Sequence, residues 1–133
     1  MKDLMILNEI KNTEDNIWLD KESSIICQIR NMQEFAVFRR GWGNGYIGLP
    51  KNHPWYNIPY NDINDILYKN KIGNIHGGIT FAEKIKDYWV IGFDTAHSDN
   101  NIDTWNKEAV KEETIKLLNI AKNVLRKNLL TTI

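Results

Sequence analysis

Two of the chain's three histidines, His76 and His97, fall in "NIHGGITFAEKIKDYWVIGFDTAH" (74–97), together with Asp94 and the glycines Gly77, Gly78 and Gly92. A carboxylate beside an imidazole fixes its tautomer and raises its basicity, which suits a general base or a ligand-orienting group. The same pair can equally form a structural hydrogen bond. Glycines inside strand-like sequence leave room for a ligand or for tight packing of another backbone. The third histidine, His53, stands in "HPWY", where Trp55 and Tyr56 on an irregular segment suit either stacking on a flat ligand or packing of a loop onto the body. Arg39 and Arg40 precede the glycine-rich "GWGNGYIG" and have the fork geometry that meets phosphates. No helix follows that run, so it is not a nucleotide fingerprint, and solvated surface is the commoner fate of such arginines.

The elements that must hold these residues can be read from periodicity and punctuation. Every Gly and every Pro lies between Gly41 and Gly92, so special backbone geometry and titratable chemistry share one middle segment. "SIICQIRN" (24–31), "EFAVFRR" (34–40) and "NGYIGLP" (44–50) read as strands, the last stopped by Pro50. Pro54 and Pro59 make "KNHPWYNIPYND" irregular, and 61–70 reads as a short helix capped by Asn61 or Asp62. From Lys107 to Arg126 there is no Gly or Pro, and Val110, Leu117, Leu118, Ala121, Val124 and Leu125 recur at helical spacing behind an Asn106 cap. Lys111, Glu112, Lys116 and Lys122 form its solvated face.

Between "NIHGGITFA" and "YWVIGFD" the polar stretch "EKIKD" has the length of a hairpin connection. Pairing Ala82 with Tyr88 then sets Thr80 against Val90, Gly78 against Gly92 and His76 against Asp94. On that register Ile79, Phe81, Trp89, Ile91 and Phe93 floor the C-terminal helix, and the facing glycines leave a trench rimmed by Thr80, His76 and Asp94. His97 joins Asp94 only if "TAHSDNN" turns, as its Ser, Asp and Asn favour.

The chain of 133 residues fits one domain, with an N-terminal part of about 1–40 and a motif-bearing part of about 41–126. The fold expected is α+β, a small antiparallel β-sheet with a C-terminal α-helix packed on one face. Zero net charge argues against a generally basic face for a nucleic-acid polymer. No stretch approaches the roughly 20 apolar residues of a membrane span, and no signal peptide is visible, so a cytoplasmic location is expected. The single cysteine, Cys27, sits in an apolar run and reads as a buried thiol.

Three chemistries fit the histidine cluster. His53, His76, Asp94 and His97 are suitable metal donors but lack any tight metal-ligand spacing, so no metal or other cofactor is expected. In a metal-free phosphodiesterase His76, polarised by Asp94, would be general base and His97 general acid, although no nucleophile or oxyanion device is identifiable. A binding pocket demands less: hydrogen bonds from the cluster, stacking from Trp55 or Tyr56, and shape from the trench.

The runs "GYIGLPKNHPWY", "HGGITF" and "WVIGFDTAHSD", followed by a Trp-led C-terminal helix, resemble a family of small phage and prophage proteins over about residues 44 to 125. The resemblance marks Gly45, Tyr46, Pro50, His53, Pro54, His76, Gly77, Gly78, Thr80, Gly92, Asp94, Ala96 and His97. Thr95 stands where the pattern also carries Cys, which argues against an essential thiol there. By analogy of source and size, the resemblance implies a counter-defence protein that binds and sequesters a nucleotide-like immune second messenger in the host bacterial cytoplasm, as a homo-oligomer whose chains close a pocket. The alternatives are a hydrolase that cleaves such a signal, a metal-dependent hydrolase, and a protein–protein inhibitor with no small ligand.

Overall fold

A computed structural model describes residues 16–33, 41–97 and 100–132, the stretch 128–132 by backbone alone. The strand expected over 34–40, with Arg39 and Arg40, lies outside the described residues. Among those described, β1 (Asn16–Asp20), β2 (Ile25–Asn31), β3 (Gly43–Leu49), β4 (Phe81–Ile85) and β5 (Tyr88–Phe93) form one sheet in the order β1-β2-β3-β5-β4. Every neighbouring pair is antiparallel. Helix α1 (Tyr60–Lys69) lies between β3 and β4 in sequence, and α2 (Lys107–Thr132) closes the chain.

Both helices pack on one face. Alternation sends Ile25, Cys27 and Ile29 of β2, Ile47 and Leu49 of β3, and Ile91 and Phe93 of β5 into a core with Ile63 and Leu67 of α1 and Val110, Leu117, Leu118 and Ala121 of α2. Full burial of a side chain such as Leu117 contributes about 1.5–3 kcal/mol, so the apolar stripe read from the sequence is what docks α2. Asn106 caps α2 as expected, its Oδ1 accepting from the Ala109 N–H at 3.0 Å. The helix runs past Arg126, which is therefore not at its end. Lys122 is not on a solvated face either: it bonds Glu22 at 3.0 Å and Asp20 at 3.4 Å, which ties the β1–β2 turn to α2. Those hydrogen bonds, Glu22's first, push the Lys122 ammonium up from its usual range, and the Lys122 bond likewise holds the Glu22 carboxyl down. Helix α1 starts one residue earlier than the 61–70 reading, with Pro59 as its N-cap and no side-chain cap bond. Asp62, read as a cap, sits in the first turn, where the helix dipole favours it.

The β4–β5 hairpin departs from the expected register. Glu83, Lys84 and Ile85 belong to β4, and the turn is only Lys86–Asp87, with Lys86 at φ 56°. A two-residue turn of this kind needs positive φ at its first central residue. Phe81 therefore pairs with Gly92, and the anticipated Gly78–Gly92 and His76–Asp94 pairs do not form. The shift is by three residues, an odd number, so Phe81 moves to the other face of the sheet. It can do so because that face has its own apolar cluster, Ile26, Tyr46, Ile85 and Val90, with Phe81, Tyr88 and Ile17 against it. Trp89, Ile91 and Phe93 stay on the helix side as expected.

There is no glycine trench. Gly92 pairs with Tyr46 across β3–β5, and the Tyr46 ring occupies the space a side chain at 92 would take. Phe81 completes the filling, edge-on to Tyr46 with centroids 5.6 Å apart. Burial pushes the Tyr46 hydroxyl up to about 12. Among the described residues no helix is long and apolar enough to cross a membrane.

Candidate functional site

His76 sits on a tight turn. The Gly78 N–H donates to the Ile75 carbonyl at 2.7 Å, and Gly77 follows His76 at φ 69°, the geometry a type II turn reserves for glycine. Gly78 is also left-handed, at φ 78°. Here the glycine pair serves the backbone, and Gly77 has a second constraint: the His97 ring packs where a side chain at 77 would project.

Two helices hold this turn. From α1, the Asn64 amide takes both backbone groups of Ile79, donating to its carbonyl at 2.8 Å and accepting from its N–H at 2.9 Å. From α2, the Glu113 carboxylate accepts from the His76 N–H at 2.7 Å, itself paired with Lys116 at 3.2 Å. Beyond the turn, the Thr80 N–H reaches the Gly92 carbonyl and the chain enters β4.

The opposite wall follows β5. The chain turns at Asp94, whose Oδ1 accepts from the Ala96 N–H at 3.0 Å while Oδ2 accepts from the Thr80 hydroxyl at 2.9 Å. That turn brings His97 back, with Nε2 3.4 Å from Asp94 Oδ1. No hydrogen bond joins the two, and among the described residues this buried nitrogen has no hydrogen-bond partner. Asp94 therefore stands beside His97, and the carboxylate–imidazole pair expected at His76 is formed by the other histidine.

His76 is oriented by groups that the sequence reading did not single out. Its ring stacks on the Trp105 indole with centroids 3.9 Å apart and meets the His97 ring at 87° and 5.8 Å. Asn100 accepts from the His97 N–H through Oδ1 at 3.2 Å, which leaves its Nδ2 to donate to His76 Nε2 at 2.8 Å. Neutral His76 thus carries its proton on Nδ1, and Nδ1–H is the donor left for other partners. The wall is pinned to the two residues that lead into β3: the Trp42 N–H donates to the Trp105 carbonyl and the Gly41 N–H to the Thr95 carbonyl, both at 2.7 Å. Thr95 is buried and its hydroxyl donates to the Gly43 carbonyl at 2.7 Å, a structural role that a thiol fills as a weaker donor.

Of the anticipated site residues, His76, Gly77, Thr80, Asp94 and His97 converge here, and Gly78 supports the turn. His53, Trp55 and Tyr56 do not join them. His53 Nδ1 accepts from the Trp55 N–H at 3.0 Å and Nε2 donates to the Ala121 carbonyl at 2.9 Å, so both ring nitrogens are used within the core. Ala121 lies eight residues beyond Glu113 on α2, about 12 Å along the axis, which separates His53 from the His76 turn. Trp55 is 2 % exposed and edge-on to His53, and the Tyr56 hydroxyl donates to the Asp87 carbonyl at 3.0 Å. His53 and Trp55 pack this segment into the core, the loop-packing alternative of the two roles that "HPWY" allowed.

The signals that could have pointed to Asn64, Asn100 and Glu113 are slight, since nothing local marks an asparagine whose partner is a distant backbone group. Trp105, ahead of a long helix, was the legible one. Among the described residues no group of three His, Cys, Asp or Glu side chains is arranged to hold a metal ion. No protein-family model, curated protein or solved structure matches the chain.

Proposed function

We propose that the protein binds a small, flat, polar molecule of the nucleotide class at the rim formed by His76, His97, Asp94 and Thr80, and acts by holding it. The observation that carries this reading is the perpendicular pair of imidazoles, one braced by an indole, beside an ionisable carboxylate. Such a corner offers ring faces for stacking, the Nδ1–H of His76 as a donor and Asp94 as an acceptor. Holding is favoured over cleavage because, among the described residues, no carboxylate bonds the His76 ring and its Nε2 is engaged by Asn100. The resemblance to small phage and prophage proteins adds the biological sense: sequestration of a nucleotide immune signal in the host cytoplasm, with a second copy of the chain covering the open side of the rim.

A second reading has one observation in its favour. His97 Nε2 lies 3.4 Å from Asp94, a spacing at which the carboxylate would support His97 as an acid–base group in phosphodiester hydrolysis. One experiment separates the two. The full-length protein is incubated with a panel of cyclic di- and trinucleotides, freed of unbound material, heat-denatured, and the released compounds are identified by mass spectrometry. Intact nucleotide supports holding, linear product supports hydrolysis at His97–Asp94, and no retained or altered nucleotide overturns both. Native mass spectrometry of the same sample reads whether two copies accompany each ligand.

A further inference from the structure

Behind the His76 turn, at the far end of α1, lies an open hollow of about 460 Å³ lined by Leu67, Tyr68, Lys69, Lys71 and Gly73. It continues into a smaller one of about 120 Å³ that shares Leu67, Tyr68 and Gly73 and reaches Asn64, Ile75 and Gly78. The turn's residues thus divide between two surfaces: His76 and Gly77 face the imidazole cluster, and Ile75 and Gly78 line the hollow.

Three features of the hollow point to a ligand. Tyr68 is 85 % exposed, far more than any other large hydrophobic residue among those described, so its ring is presented to solvent at the wall. Lys69 and Lys71 flank it, and neither ammonium makes an ion pair among the described residues. Lys71 also occupies the left-handed position (φ 51°) that ends α1, where the Ile72 N–H reaches the Leu67 carbonyl and the Lys71 N–H the Tyr68 carbonyl. Glycine is the residue that usually fills this position at least cost. A lysine there gives up backbone ease and places a cation at the rim of the hollow.

We infer that this hollow is a second small-ligand site, distinct from the imidazole rim, for a flat ring bearing a phosphate. The ring lies on Tyr68 over Leu67, and the phosphate is met by Lys69 and Lys71. Tyr68, Lys69 and Lys71 make no hydrogen bond or ion pair with the residues of the imidazole cluster, so this site and the proposed function stand or fall separately.

The test is a titration of the full chain, labelled with nitrogen-15, with adenosine monophosphate, adenosine and inorganic phosphate in parallel. Saturable shifts of the Lys71 and Gly73 amides are expected with the monophosphate, with adenosine and phosphate each binding roughly tenfold or more weakly. Tyr68→Ala and the double variant Lys69→Glu/Lys71→Glu, all at exposed positions, are each expected to weaken the monophosphate by roughly tenfold with the spectrum otherwise unchanged. Absence of saturable shifts, equal binding of adenosine, or binding that survives both variants overturns the inference.

Discussion

The His76 imidazole lies almost parallel to the Trp105 indole, 27° from coplanar at 3.9 Å between centroids, so a residue just ahead of α2 sets the plane of a ring carried by a loop on the other side of the hairpin. Replacing Trp105 by Leu removes that plane while leaving apolar bulk. A loss of about 0.5–1.5 kcal/mol in urea unfolding is expected, the usual worth of an aromatic pair. If the rim binds as proposed, affinity for the retained nucleotide falls by about tenfold in the same variant.

Gly77 and Gly78 look equivalent in sequence and differ in consequence. Alanine at 78 meets only positive φ, since its added carbon reaches Asn64 at an ordinary 3.4 Å, and should cost about 1–2 kcal/mol. Alanine at 77 meets the same strain and also the His97 ring. It should cost more than about 2 kcal/mol and move the His97 imidazole resonances, which Gly78→Ala leaves near their wild-type positions.

Asn64 bridges both backbone groups of Ile79. Asn64→Ala should destabilise by about 2–3 kcal/mol, the loss of two bonds at a buried residue, and Asn64→Asp by less, because a carboxylate still accepts from the Ile79 N–H. Urea denaturation of the three proteins checks the order.

His53 gives the pH dependence. Burial lowers its pKa below the ordinary imidazole value, and its bond to Ala121 only partly opposes this. A depressed folded pKa means that the unfolded chain binds the proton first. Stability is therefore complete above about pH 6.5 and falls as pH drops from there through the folded pKa, with a slope of at most about 1.4 kcal/mol per pH unit. Thermal unfolding between pH 8 and pH 5 should show this decline, and His53→Gln should flatten it even though the variant is less stable throughout.

Burial pushes the Cys27 thiol up to about 12. It should ignore Ellman's reagent at pH 8 in the native protein and react fully in denaturant.

The reading of the sequence succeeded where one periodicity decided the outcome. The stripe from Val110 to Leu125 specified α2, and the alternation of Trp89, Ile91 and Phe93 specified the helix-facing side of β5. It failed where two local solutions competed. "EKIKD" serves equally as a loop or as strand followed by a tight turn, and the apolar cluster around Tyr46 removed the burial penalty that would have fixed the register. The short β1 was not anticipated, because "NIWLD" is bounded by charges and has no alternation long enough to register. At the site, "TAHSDNN" reads as turn-prone from its Ser, Asp and Asn, the condition on which His97 meets Asp94. The bond that makes the described part of the turn is donated by the Ala96 N–H to Asp94, a residue that reading did not use for the turn. The partner of His76 was assigned to Asp94 through a register that does not form. Its actual neighbours, Asn100, Trp105 and Glu113, come from a segment whose placement depends on tertiary structure alone.

The bond between Asn64 and Ile79 also bears on the company this protein keeps with itself. β4 is the outermost strand on its side of the sheet. Thr80 turns its N–H inward to Gly92, and the N–H and C=O of Ile79 just before it have no partner strand among the described residues. Exposed pairs of that kind recruit strands from neighbouring molecules. Asn64 fills both with a side-chain amide, so the residue that steadies the His76 turn also leaves Ile79 no unpaired backbone group to offer a neighbouring strand just ahead of the edge.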